Sequence, residues 1–173
     1  MSKVTGLQKN IGDRLRRLDA SDITKIILSV VLILFLAAVY HRSGAPDVPM
    51  DSVESALRKG TDLSSMQKCS NRQLMQFMGL DYSDYDSYIY YKSREALGVQ
   101  EVLVVSVYRR NDLTAVEDAI DRRIADQTRT FEGYGPSQVA MLKNAIIYKR
   151  GNYIFYCVDK NPDRYEEVFR HAL

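Results

Sequence analysis

The chain has no tryptophan, two cysteines, two histidines, four prolines and nine glycines in 173 residues. So little proline and glycine excludes collagen-like and low-complexity architectures. The cysteines and histidines, at positions 41, 69, 157 and 171, lack the paired spacing of zinc ligands, so neither a metal site nor a cofactor is expected. Nucleophilic catalysis lacks its base, because His41 borders an apolar run and His171 is third from the end of a helical pattern. No catalytic residue is nominated. Excess charge is lacking too: 24 Lys and Arg against 22 Asp and Glu leave a net +2, which disfavours nucleic-acid partners and an acidic disordered tail.

That balance is unevenly distributed. Residues 1–42 carry seven basic and three acidic side chains, a net +4, and the remainder carries a net −2. Fifteen consecutive uncharged residues run from Ile26 to Tyr40, and stepping over Lys25 to Ile23 extends the segment to eighteen. At 1.5 Å per residue this spans about 27 Å, close to the thickness of a bilayer core. Lys25 at one end and Tyr40, His41 and Arg42 at the other form interfacial collars. The expected organisation is a basic cytoplasmic tail over 1–22, a single transmembrane helix over 23–41, a linker over 42–49 and an extracytoplasmic domain over 50–173. Lys3, Lys9, Arg14, Arg16, Arg17 and Lys25 place the N-terminus in the cytoplasm and the plasma membrane as the location. Cleavage at Ser43-Gly44-Ala45 is disfavoured by Arg42 and Pro46, and no cysteine follows the run to carry a lipid. Leu7, Ile11, Leu15 and Leu18 give the tail a weak amphipathic pattern, read as a retention signal rather than a lipid-surface helix.

Beyond the linker, Asp51 and Glu54 resemble a capping box opening a helix that turns Val53, Ala56 and Leu57 inward and stops at Gly60. A second helix is predicted from Asn71 to Gly79, burying Leu74, Phe77 and Met78. Strands are predicted over 88–92 and 101–108. The second contains VLVVSVY, a β-branched run typical of a central strand covered on both faces. A long helix over 112–131 follows from Leu113, Val116, Ile120, Ile124, Gln127 and Phe131, with Thr114 and Glu117 as an alternative capping box. Pro136 opens a short helix carrying Val139 and Leu142. Gly151-Asn152 predicts a type II′ hairpin that pairs Tyr148 with Phe155 and Ile146 with Cys157 on one face, and Ile147 with Tyr156 on the other. Asn161 and Pro162 start a last helix with Tyr165, Val168, Phe169 and Ala172 inward. The order ααββααββα implies an α+β domain with a mostly antiparallel four-stranded sheet.

Residues 131–158, FEGYGPSQVAMLKNAIIYKRGNYIFYCV, resemble a family of membrane-anchored extracytoplasmic bacterial proteins, mostly from Gram-positive anaerobes, classed as a domain of unknown function. Phe131, Tyr134, Pro136, Asn144, Ala145, Gly151, Asn152 and Tyr153 carry the resemblance, which extends more loosely over 47–173. Many members have a lipid-bearing cysteine where this chain has a helix. The resemblance implies location and fold and no reaction.

The loop after the long helix supplies the candidate binding surface: Phe131, Gly133, Tyr134, Gly135, Pro136 and Gln138. Two glycines around Tyr134 imply an irregular, closely approached backbone that displays the ring. The tyrosine-rich segment 82–91 is a secondary candidate, although most tyrosines are expected to pack the sheet against helices. Asp81, Asp84 and Asp86 read as a solvated turn rather than a calcium loop, lacking its glycine and final Glu. Cys69 and Cys157 are open to two readings, a disulfide in an oxidising milieu or small core hydrophobes, of which the second is preferred. The expected function is a non-catalytic interaction domain binding an envelope protein or cell-wall ligand. The alternatives are a glycan hydrolase with spatially assembled carboxylates, and an accessory subunit of a membrane complex, for which Ser29 is the only polar handle in the span.

Overall fold

In the computed structural model, residues 20–43 and 48–173 are described. The chain divides into two units, residues 1–43 and 44–173. The first contains helix α1 (Ala20–Ser43). The side chains described in it are those of residues 22–37, about 24 Å of helix. Among the described residues no helix is long and apolar enough to cross a membrane. The tail up to Asp19, the linker residues 44–47 and the side chains of the Tyr40, His41 and Arg42 collar lie outside the described residues. At the other collar, Lys25 pairs with Asp22 at 3.3 Å, and the Ser29 hydroxyl donates back to the Lys25 carbonyl.

The second unit is α+β. Its helices are α2 (Met50–Gly60), α3 (Asn71–Met78), α4 (Leu113–Phe131), α5 (Pro136–Lys143) and α6 (Pro162–Ala172). Its strands are β1 (Gln67–Lys68), β2 (Ser87–Lys92), β3 (Glu101–Ser106), β4 (Ile146–Arg150) and β5 (Tyr153–Val158). The sheet is antiparallel, ordered β1-β2-β3-β5-β4. It has five strands rather than the four expected, because β1 joins through only two pairs, Gln67 with Lys92 and Lys68 with Tyr91. Two exposed residues carry no period-2 pattern that a sequence reading can detect.

β3 is the middle strand and every one of its residues is buried. Alternation sends Leu103 and Val105 to one face and Val102 and Val104 to the other. The first face packs on Leu74 and Met78 of α3, Val116 and Ile120 of α4 and Leu142 of α5. The second packs on Val53 and Leu57 of α2 and Tyr165 and Phe169 of α6, with Phe155 stacked on Phe169 at 4.8 Å. The sheet is thus sandwiched between two helical layers, which is why both faces of its strands are apolar. The β4–β5 hairpin has the expected register. Gly151 has φ 60 while Asn152 stays at negative φ, as a II′ turn requires.

Capping chemistry departs from expectation at three helices. α2 starts at Met50 with Pro49 as its N-cap, whose side chain has no acceptor, so Asp51 falls inside the first turn and there is no side-chain cap, while Glu54 turns to Lys68 and to the Tyr91 hydroxyl. α4 follows a 3-10 turn over Arg110–Asp112 and also lacks a side-chain cap: Asp112 at the N-cap is itself in helical conformation and pairs with Arg109, Thr114 lies inside the helix, and Glu117 pairs with Lys149 at 2.7 Å. Asn161 occupies the N-cap position of α6 without capping it. By contrast, α3 has a full capping box between Ser70 and Gln73 and ends on Gly79 at φ 69. Cys69 and Cys157 are free and buried in different layers, one on each side of the sheet. The disulfide is not formed.

Candidate functional site

The α4–α5 corner is built by two helices that end and begin within five residues of each other. Phe131 closes α4, and its carbonyl accepts from the backbone of Tyr134 at 3.3 Å and of Gly135 at 2.9 Å, folding the loop back on the helix. Gly133 sits at φ 93, a conformation that side-chain-bearing residues rarely adopt. Gly135 is buried, and a Cβ there would lie 2.8 Å from Phe131 Cδ1. Both glycines are therefore required by geometry, one by dihedral angle and the other by close approach. Pro136 then takes the first position of α5, where its missing N–H costs nothing.

A groove of about 450 Å3 opens along this corner. Pro136, Val139, Ala140 and Lys143 supply one wall, a single face of α5, and Phe131, Glu132 and Gly133 supply the other end. The lining is mainly apolar. Glu132 and Lys143 carry its only charges, and neither forms an ion pair among the described residues.

The structure brings Phe131, Gly133 and Pro136 of the candidate surface to the groove. Tyr134 is beside it rather than in its lining, 62% exposed with its ring 5.5 Å from that of Phe131. Gln138 points away, donating from Nε2 to the Leu97 carbonyl at 3.4 Å and accepting from the Ser137 hydroxyl. This bond ties the corner to the β2–β3 loop, where Leu97 is also exposed. Glu132 falls within the candidate loop 131–138, whereas Val139, Ala140 and Lys143 were not among the sequence candidates. Their signal is the 3-1-3 spacing of Pro136, Val139, Ala140 and Lys143, a helical face that a reading centred on the aromatic loop passes over.

What holds the corner is a buried charge cluster one turn upstream. Glu101 opens β3 with no exposed surface. Its carboxylate accepts from Arg123 through both Nε (3.2 Å) and Nη2, from Gln127 Nε2 at 3.1 Å and from the Tyr90 hydroxyl at 3.3 Å. Burial pushes Arg123 down, but the bonds and charge of Glu101 raise it by more. Burial, and then the charge of Glu101, raise the Tyr90 and Tyr156 phenols, so both remain neutral. α4 is thereby fastened to the sheet at 123 and 127, and Phe131 follows one turn later.

The remaining candidates lie elsewhere. Tyr85, Tyr90 and Tyr91 are buried and Tyr88 is half-buried with its hydroxyl on Asn71, leaving Tyr82 as the exposed ring of the 82–91 segment, which therefore forms no tyrosine surface. Asp81 caps a 3-10 turn at Tyr82–Asp84, and bonds from the Ser83 backbone and then its hydroxyl hold the carboxyl below the ordinary range. Among the described residues no cluster of His, Cys, Asp or Glu could hold a metal. His171 is exposed, with Nδ1 2.8 Å from the Glu167 carbonyl. Asp62 and Asp159 share a polar hollow of about 290 Å3 with Arg164 and Tyr165, but Asp159 Oδ1 already accepts from the Asn161 backbone.

No curated protein and no solved structure matches the chain. A family model does match, over residues 59–159, from the end of α2 to just beyond β5 and including the whole α4–α5 corner and the sheet. The chain belongs to the family described as Domain of unknown function (DUF4358).

Proposed function

We propose that this is a single-pass membrane protein with a cytoplasmic N-terminus, whose domain over 50–173 binds a ligand or partner at the cell envelope through the α4–α5 corner. The observation that carries the binding reading is the groove itself: an apolar concavity of about 450 Å3 with an exposed Tyr134 in ring contact with Phe131 of its lining. Its size and lining suit recognition of a small ligand or chain segment. Its two charged groups stand unpaired, with no histidine or cysteine among the lining residues.

Anchoring is supported by α1. Its described large apolar side chains, from Ile23 to Leu36, are 47–69% exposed around the whole helix, a surface that calls for an apolar environment. The uncharged sequence continues to Tyr40 beyond the described side chains. The subunit alternative is weakened because Ser29 spends its hydroxyl on its own helix. The hydrolase alternative has two carboxylate-lined hollows among the described residues: in that of Asp62 and Asp159 one carboxylate is engaged in the α6 turn, and in one of about 670 Å3 lined by Asp163, Glu166 and Glu167, Glu166 pairs with Arg170 and Glu167 with Arg164.

A photo-crosslinking residue at Val139 in intact cells tests the surface. The expected result is a discrete adduct that is lost with Tyr134→Ala and absent from a probe at Asp51. No adduct, or equal labelling from both positions, overturns the reading. Protease added outside protoplasts should remove the domain and spare an N-terminal tag, and loss of the tag instead would reverse the orientation.

A further inference from the structure

We infer that the groove takes a short peptide of about three residues with free ends: its ammonium group at Glu132, its apolar side chains over Pro136 and Val139, and its carboxylate at Lys143. The inference rests on the corner being the binding surface and specifies what it binds.

Length is the first argument. Pro136 and Lys143 lie seven residues apart on one helical face, a rise of about 10.5 Å. Three extended residues cover about 10 Å. Both charges line the groove: Glu132 precedes the first residue of α5 by four positions, and Lys143 lies in its last turn. Between the two charges the lining is Phe131, Pro136, Val139 and Ala140.

Charge is the second. Lys143 lies in the last turn of α5, where the helix dipole favours a cation, so its position has a structural explanation. Glu132 has none. It is the C-cap of α4, where unsatisfied carbonyls already make the field negative and an acid is disfavoured. It has no ion-pair partner among the described residues, whereas Arg129 nearby pairs with Asp126 at 3.4 Å. An uncompensated acid at the wrong helix end, lining a groove, is a local conflict of the kind associated with functional sites. A bound ammonium group would meet both the carboxylate and the helix end. A lipid chain would leave both charges unmatched, a polyanion would be repelled by Glu132, and a neutral glycan would not use either charge.

The test uses the full chain in detergent micelles and calorimetric titration with Ala-Leu-Ala carrying free ends, its N-acetylated form and its C-amidated form. Saturable one-to-one binding of the free peptide is expected, weakened about threefold by each cap, as for a solvent-exposed charge pair. Glu132→Gln should abolish the effect of acetylation alone, and Lys143→Gln the effect of amidation alone. Both side chains are exposed, and circular dichroism confirms that each variant is folded. Equal binding of the capped peptides, indifference to both substitutions, or no binding of any of the three overturns the inference. If peptides fail while Val139 still captures a partner in cells, the surface stands and the peptide class falls. If the capped series behaves as expected without any adduct in cells, the peptide site stands and the envelope partner falls.

Discussion

Gly133 adopts φ 93 with open space where a Cβ would project, so alanine there meets no atom and still strains the backbone. Gly133→Ala should cost about 1–2 kcal/mol in urea unfolding, while leaving the lining of the groove intact. Gly135→Ala should act differently, pushing Phe131 aside and altering the groove. Glycines were legible in the sequence as markers of an irregular loop, but the two distinct reasons for them were not, since one is torsional and the other depends on where the Phe131 ring lies. The thiols illustrate a second residue-scale consequence. Burial pushes Cys69 up to about 11, and burial together with Asp159 raises Cys157 further. Neither should therefore react with a thiol reagent at neutral pH in the closed native state, so native labelling is slow and proceeds only through transient opening, and both should react at once after denaturation. A thiol that labels in native protein as fast as in unfolded protein, or fewer than two reactive thiols after unfolding, contradicts this.

At the level of elements, Glu101, Arg123 and Gln127 decide where α4 lies. Removing one partner of a buried pair leaves the other charge uncompensated, so Arg123→Met should destabilise by about 3–5 kcal/mol. Because α4 leads directly into the corner, a milder Gln127→Ala, tested in folded protein, should reduce crosslinking from Val139 as well as stability. Glu54 plays a comparable part for α2. Burial alone would raise its carboxyl, but bonds from Lys68 and Tyr91 outweigh it and hold the group below its ordinary 4.5. A depressed folded pKa means stability present above the ordinary carboxylate range and lost as pH falls through the lower folded value. The gap in unfolding free energy between the wild-type protein and Glu54→Gln should thus be about 1–2 kcal/mol at pH 7 and shrink toward pH 3. Strands and long helices were readable because VLVVSVY, the Leu113 to Phe131 stripe and the Gly151-Asn152 turn repeat a period over many residues. Ion-pair partners such as Glu101 with Arg123, 22 positions apart, have no such period. The same holds for β1, whose two residues acquire strand geometry only from their neighbours.

For the whole molecule, the two helical layers share one sheet, and β3 contributes side chains to both. Their stabilities are therefore coupled, and the 44–173 unit should unfold in a single transition, with tyrosine fluorescence and far-ultraviolet dichroism giving coincident midpoints. Two separated transitions would show that a layer can be lost alone. The absence of tryptophan makes fluorescence report on tyrosines, several of which are deeply buried.

Because Cys69 and Cys157 occupy opposite faces of the sheet, the domain carries one intrinsic reporter for each layer. Under native conditions their labelling rates measure the free energy of transient opening around each thiol. Equal rates would mean that the layers breathe only together, by global unfolding. Faster modification of Cys69 would identify the layer that holds the corner as the part of the molecule with conformational latitude.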